Sequence, residues 1–542
     1  MEFLLNKIKS IKININLYII LYTIFTILLF NFGVLKTTLS LSGSFSLTIS
    51  FLFILIFLFN VIFTLTFYKK TTKFLSILLL IINAVILYFM NAYNVSIDRT
   101  MLINALETNV GETMELLNLK FLLYLVIFAF IPSFFIFNVD ITYKNKLKSF
   151  LHRSLIIFFS VVITLSIVFL NYKQVSSFAR SNKNLKYKVI PLNYLSSLSS
   201  LINRSIKAKN VAFQDLTNDV IIENNFVNDK KNILIFIVGE AARSVEFSLN
   251  NYDRNTNEPL KDKDLISYNN FYSCGTATAI SVPCMFSSFE RSKFNLNHKN
   301  NFSNLFDFLS KAKIYSYWRD NNSDCKGVCN RIDNDNVVKN KVDGICKDGE
   351  CYDEILIYDL DEKIKNLKNQ NNVLVLHQKG SHGPAYYLRY PQNFEKFKPV
   401  CKTEMFDKCS IKEIKNAYDN TIYYTSYIIN KTIETLQKYE NDYNVALIYV
   451  SDHGQSLGEN GLFLHGAPYK FAPDEQKHIP FIMWLSNNFI DNFKINKECL
   501  KLQKNEKFSH DNLFHSILGL FNIKTKYYNE KLDLFKNCRI TK

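Results

Sequence analysis

The chain has 542 residues, 48% of them apolar, and a formal charge of +16. That length exceeds one ordinary domain. Its lysines are scattered, with no dense basic block or nucleic-acid module, which argues against a nucleic-acid partner and for a basic face toward anionic lipid.

Five apolar stretches come first, at about 16–35, 46–67, 74–93, 120–139 and 154–171. Each approaches the roughly 20 residues a helix needs to cross a bilayer. Basic residues orient them. Lys7, Lys9 and Lys12 precede the first span; Lys69, Lys70 and Lys73 follow the second; Lys144, Lys146, Lys148 and Arg153 follow the fourth. The alternate loops hold only Lys36 in one and Arg99 and Lys120 in the other. An N-terminus in the cytoplasm and five crossings put everything after about residue 172 outside. In the loop between the third and fourth spans, Asn104, Thr108 and Glu112 fall at i, i+4 and i+8, which predicts one helical face on that outer side. From 172 to 231 the chain is polar with short amphipathic pieces such as Tyr194–Ile202, read as a bridging segment on the membrane surface. The expected division is 1–171 transmembrane, 172–231 bridging and 232–542 catalytic.

The ten cysteines all lie at or after Cys274. By proximity they pair as Cys274 with Cys284, Cys325 with Cys329, Cys346 with Cys351 and Cys401 with Cys409, leaving Cys499 and Cys538 to each other. An even set confined to the outer part predicts disulfides in an oxidising compartment. The competing reading, a cytosolic cysteine zinc site, conflicts with the topology.

From Asn232 the pattern alternates between strand and helix. Ile233–Val238, Val373–Leu376 and Val445–Val450 are continuous apolar runs separated by helix-compatible stretches, the mark of a mainly parallel sheet covered by helices. All three lead into polar groups suited to a divalent metal or a phosphate: Glu240, His382, and Asp452 with His453. A second histidine, His465, follows the last pair. Between the strands lies CGTATAISVPC, with a glycine for a tight turn and hydroxyls at a helix start, where backbone N–H groups favour a phosphate. Thr276, Thr278 and Ser281 are each chemically able to serve as a metal-activated nucleophile. His377 reads as a packing residue, and Glu246 and Glu459 as solvent-facing.

GEAAR at Gly239–Arg243, CGTATAISVPCMFS at Cys274–Ser287, WRDNNSDCKGVC at Trp318–Cys329, HQKGSHGPAYYLRYP at His377–Pro391 and SDHGQSLGENGLFLHG at Ser451–Gly466 together resemble the phosphoethanolamine transferases of Gram-negative bacteria. The resemblance runs through the whole chain, in order. It implies an alkaline-phosphatase-like (sulfatase-type) α/β domain behind a five-helix membrane domain, in the bacterial inner membrane with the catalytic part periplasmic. It also implies a zinc ion held by Glu240, Thr278, Asp452 and His453, with Thr278 as nucleophile. Lys326, His382 and His465 match residues that meet the transferred phosphate or a second zinc. Asn104, Thr108 and Glu112 match the loop that meets the lipid. The implied reaction moves phosphoethanolamine from phosphatidylethanolamine to lipid A or another envelope acceptor through a phosphothreonine, by a protein expected to act as a monomer. The rivals are a membrane-tethered phosphoglycerol transferase, which shares the threonine, a sulfatase, whose Cys-x-Pro-x-Arg context is missing at Thr278, and a non-catalytic envelope receptor or scaffold, which would lack a ligand residue.

Overall fold

The computed structural model describes residues 12–540 apart from 109, 210–211, 224–225, 297 and 348, so Lys7 and Lys9 lie outside the described residues. The chain forms two compact units: Met1–Arg99 with Leu117–Ser199, and Thr100–Leu116 with Ser200–Lys542.

In the first unit five helices are long and apolar enough to span a membrane: Ile15–Ser42, Phe45–Thr66, Thr72–Tyr93, Leu119–Asn138 and Leu147–Leu170. Asn14, Ser44 and Asn145 cap three helix starts by accepting backbone N–H bonds, and Gly43, at φ +61°, closes the first. Hydrocarbon offers polar groups no alternative partner, and several buried here find one within the unit, although Thr64 Oγ1 and Arg153 Nε do not. Tyr18 OH donates to Ser76 Oγ at 2.8 Å, Tyr194 OH to Asn83 Oδ1 at 2.9 Å, and Asn31 exchanges two bonds with the backbone of Ile190. Arg153 Nη1 donates to the Thr64 carbonyl at 2.7 Å. Phe158 and Phe169 on the last span are exposed, as a lipid-facing surface requires.

The second unit is built on an eight-stranded sheet. Its strands in chain order are β1 (Lys231–Gly239), β2 (Ile266–Tyr272), β3 (Tyr315–Asp320), β4 (Asp333–Asn336), β5 (Asn371–His377), β6 (Tyr443–Ser451), β7 (His478–Leu485) and β8 (Phe508–Ser509). Their spatial order is β8-β2-β7-β6-β1-β5-β3-β4. The run from β6 to β4 is parallel, whereas β7 is antiparallel to both neighbours. The three apolar runs read from sequence are the three central strands, buried along nearly their whole length because helices cover both faces. The longest cover is the helix Ile411–Gln437. A capping box of Ser410 and Glu413 starts it, and Ile414, Tyr418, Ile422, Ile429 and Ile433 form its buried face. Five disulfides join the cysteines in the pairs expected from proximity.

The segment Thr100–Leu116 belongs to this second unit although spans flank it on both sides. It is not one helix. Arg99–Glu107 and Val110–Leu116 are separate, so the single face predicted for Asn104, Thr108 and Glu112 is broken after Asn104. The Glu112 side chain lies outside those described.

Candidate active site

Parallel register brings the strand ends together. Ser451 on β6 pairs with Gly239 on β1, His377 on β5 with Val238, and Asp320 on β3 with His377. The next residues, Glu240 and Asp452, therefore emerge side by side at the carboxyl edge, where α/β sheets hold their ligands. The backbone is tight here. Gly380 sits at φ +51°, and a Cβ on it would lie 2.7 Å from the Glu240 carbonyl oxygen. That position needs glycine.

Thr278 opens the short helix Thr278–Met285. Its Oγ1 donates to Glu240 Oε2 at 2.9 Å and lies 3.3 Å from His453 Nε2. The other two hydroxyls are engaged elsewhere. Thr276 Oγ1 donates to the Ala467 carbonyl at 2.6 Å, and Ser281 Oγ donates to the Asp452 carbonyl while accepting from Gly275 N–H. Of the three candidates, only Thr278 faces a carboxylate.

His453 Nδ1 donates to the Gly454 carbonyl at 2.8 Å, which aims Nε2 at the carboxylates, 3.2 Å from Glu240 Oε1 and 3.5 Å from Asp452 Oδ2. Both of those oxygens are buried and accept no hydrogen bond. Leaving such oxygens unpaired is costly unless a positive charge joins them. The electrostatics agree. Burial alone would lower the His453 pKa, but Asp452 and Glu240 outweigh it and raise it to about 9. Burial would raise Glu240, yet the His453 charge holds it well below the usual carboxylate range. Burial, then the Glu240 charge, push Asp452 up to about 6. One ligand atom each from Glu240, Asp452 and His453 lie within 4.8 Å of one another, so nitrogen and oxygen donors of this kind fit a divalent cation.

A second wall faces this cluster. The His465 ring stacks on His453 with centroids 4.4 Å apart, and His382 lies 5.4 Å from His465. Burial and the two neighbouring imidazoles hold the His465 pKa well below its ordinary value, and its Nδ1 is buried without a hydrogen bond. Gly466 N–H donates to the Thr276 carbonyl at 2.7 Å, tying this loop to the turn that carries Thr278. Lys326 is buried at φ +51°, inside the turn closed by Cys325–Cys329. Its Nζ donates to Ser323 Oγ at 2.7 Å and to the Glu107 carbonyl at 3.5 Å. A Cβ on Gly466 would lie 3.2 Å from Asn104 Nδ2, so Asn104 borders the His465 loop. Thr108 Oγ1 turns back to the Asn104 carbonyl at 2.7 Å.

Several contributors lie inside or beside the quoted motifs, yet the sequence assigns them no such role. Asn322 Nδ2 donates to Glu240 Oε2 at 2.8 Å. Asp320 accepts from Asn322 N–H at 2.8 Å, from Trp318 Nε1 at 2.9 Å and from His377 Nδ1 at 2.8 Å. His377 is thus more than a packing residue. Burial would lower its pKa, but the Asp320 charge raises it. Arg389 Nε donates to the His382 carbonyl at 2.8 Å, while its Nη groups meet Glu350 at 3.0 Å and Glu115. Glu246 is buried rather than solvent-facing, and Arg243 Nη2 donates to it at 2.7 Å. Arg243 Nη1 also donates to Glu459 at 2.7 Å and to the Gln455 carbonyl at 3.0 Å, which braces the loop beyond His453. These partners are remote in sequence, and opposite charges spread along a chain do not announce their pairing.

Comparison with known proteins follows the same division. A family model described as phosphoethanolamine transferase EptA/EptB matches residues 55–206, and a sulfatase model matches 232–523. The chain is 37% identical to phosphoethanolamine transferase EptA of Escherichia coli strain K12 over 89% of its own length and 88% of that protein. It is 33% identical to phosphatidylethanolamine transferase Mcr-1 of Escherichia coli over 85% of each. The solved integral membrane protein lipooligosaccharide phosphoethanolamine transferase A from Neisseria meningitidis superposes with a TM-score of 0.91 at 32% identity, covering 96% of this chain and 98% of that one.

Proposed function

The chain belongs to the phosphoethanolamine transferase family, and from that premise we propose that it moves phosphoethanolamine from phosphatidylethanolamine to a lipid A phosphate through a phosphothreonine at Thr278. The catalytic unit is read as periplasmic and the N-terminus as cytoplasmic, in keeping with the basic loops. Glu240, Asp452, His453 and Thr278 would hold zinc, and the unbonded buried oxygens of Glu240 and Asp452 support that assignment. Bound there, zinc supplies the positive charge that makes an alcohol acidic near neutral pH and offsets phosphoryl oxygens. Whether His382 and His465 take a second ion is part of the same proposal.

The chain's own groups then have distinct tasks. Thr278 Oγ1 attacks phosphorus, forming a new P–O bond as the bond to the glyceride oxygen breaks and diacylglycerol leaves. The hydroxyl proton lies on the hydrogen bond to Glu240 Oε2. In this reading His382 gives the leaving oxygen its proton, while His465, whose pKa is held low, faces the cluster as a neutral imidazole. Lys326 and the start of the helix Thr278–Met285 offer positive charge to the phosphoryl oxygens. In the second half, an acceptor oxygen attacks the phosphothreonine and restores the Thr278 hydroxyl.

The observation that carries this reading is Thr278 Oγ1, hydrogen-bonded to one buried carboxylate and 3.3 Å from the imidazole that faces two. Peptide mass spectrometry after incubation with phosphatidylethanolamine tests it. Wild type should carry a phosphoethanolamine adduct on the peptide containing Thr278, and Thr278→Ala none. An equal adduct level in both would remove Thr278 as nucleophile.

A further inference from the structure

Beside the site, on the far side of Asn322, a cleft of about 680 Å³ opens among Asn321, Asn322, Ser323, Lys379 and the segment from Asn336 to Cys351. Its inner wall is shared with the chemistry: Asn322 donates to Glu240, and Ser323 accepts from Lys326 Nζ. Two hydrogen bonds, Asn322 to Glu240 and Thr278 to Glu240, link that wall to the nucleophile.

The charges in the cleft are unevenly spent. Lys379, at the inner end, is buried and neutralised by Glu350. Lys339, Lys341 and Lys347 line the outer part; all three are exposed, and none has an ion-pair partner among the described residues. Asp343 is the acidic group among them. The hairpin that carries Lys347 is closed by the Cys346–Cys351 disulfide, so this lysine sits on a braced turn. A second feature points to a ligand as well. Asn321 in the cleft wall is buried, and its Oδ1 accepts no hydrogen bond, although its Nδ2 donates to Asp353 at 2.8 Å. An unpaired acceptor in a wall with spare cations suits a molecule bearing both hydroxyls and negative charge.

The donor does not fit that description. A phosphatidylethanolamine headgroup is zwitterionic, and its ammonium would be repelled by three free lysines. We propose that this cleft binds the anionic sugar headgroup of the acceptor, with Lys339, Lys341 and Lys347 facing its negative groups and Asn321 Oδ1 accepting from a sugar hydroxyl. The proposal rests on the two-step transfer described above and assigns a place to its second substrate.

The test uses the full-length protein with the triple variant K339E/K341E/K347E. Three quantities are compared with wild type: formation of the Thr278 adduct from phosphatidylethanolamine, steady-state transfer to lipid A bearing both phosphates or enzymatically dephosphorylated at one, and binding to phosphatidylglycerol vesicles. Adduct formation should be unchanged, while KM for the bis-phosphorylated acceptor rises about tenfold, kcat holds, and the preference over the dephosphorylated acceptor disappears. An unchanged KM overturns the proposal. So does a loss equal for both acceptors, or one that tracks weakened vesicle binding, which would make the lysines a membrane contact. Absence of the adduct in wild type would instead sink the two-step reading itself, and is seen before any acceptor is added.

Discussion

The strand-end cluster around Thr278 and the region of the helix Asp511–Leu520 are made of the same buried materials, imidazoles, carboxylates and hydroxyls, within one unit. In the helical region those groups have partners. His510 accepts from Cys274 N–H and donates to the Ser451 carbonyl, both at 3.0 Å. His515 Nδ1 accepts from Asn529 N–H at 3.1 Å, and Asp533 accepts from Tyr528 OH at 2.7 Å and Phe535 N–H at 2.8 Å. In the strand-end cluster Glu240 Oε1, Asp452 Oδ2 and His465 Nδ1 have none. Burial of polar groups therefore does not distinguish the two regions. Unspent hydrogen-bonding capacity does, and it marks where something else is meant to bind.

The sharpest way to break that contrast is Asp452→Asn. The amide keeps the shape, and its oxygen can still accept from Ala241 and His453 N–H, but one of two facing negative charges is gone. Transfer should fall on the order of a thousandfold and metal content should drop, both read on purified protein. Thermal unfolding in chelator should show no loss of stability, because the removed charge was held at a cost. The matched substitution Asp533→Asn should do the reverse, leaving activity intact and lowering the midpoint. If Asp452→Asn unfolds the protein in chelator, the cluster is structural and the comparison fails.

A smaller effect is expected at the loop wall. Glu115 and Glu350 flank Arg389, whose Nε holds the His382 carbonyl. Glu115→Gln removes one charge and leaves Glu350 in place. His382 should be held less firmly, with kcat down about tenfold and KM for the donor nearly unchanged. Limited proteolysis within 100–116 should quicken. Unchanged kcat would show that the Glu115–Arg389 pair anchors the segment without positioning His382.

This pair also shows where sequence reading stops. The five spans are legible because a bilayer imposes an absolute length of apolar chain, and the three central strands because burial on both faces demands continuous Ile, Val and Leu. Glu240, Asp452 and His453 follow the ends of apolar runs, so local pattern points to them, whereas preferring Thr278 over Thr276 and Ser281 takes the family resemblance. The direction of β7 is invisible, since HIPFIMWL reads the same whichever way its neighbours run. In the loop between the third and fourth spans, Asn104, Thr108 and Glu112 read as one helical face. The helix breaks after Glu107, and Glu115 is used against Arg389, 274 residues away, a partner that no spacing reveals. Glu246 misled for the same reason: a carboxylate near a motif reads as solvated until Arg243 is seen to bury with it.

The least change is expected in the helical region, and only with pH. Burial lowers the His515 pKa to about 4, against about 6.5 in an unfolded chain. Above pH 6.5 the ring is neutral in both states and folding is indifferent to it. Below 6.5 the unfolded chain takes up a proton that the folded one refuses until about pH 4, so stability is lost as pH falls through that window, by at most about 1.4 kcal/mol per pH unit. His515→Gln removes this proton, and its side-chain oxygen can accept from Asn529 N–H in place of Nδ1. The thermal midpoint of the variant, followed from pH 7 to pH 4, should fall less steeply than that of wild type, while transfer at pH 7 is unaltered. Parallel slopes would mean that His515 takes up its proton at the same pH folded and unfolded, and that burial does not hold its ring neutral.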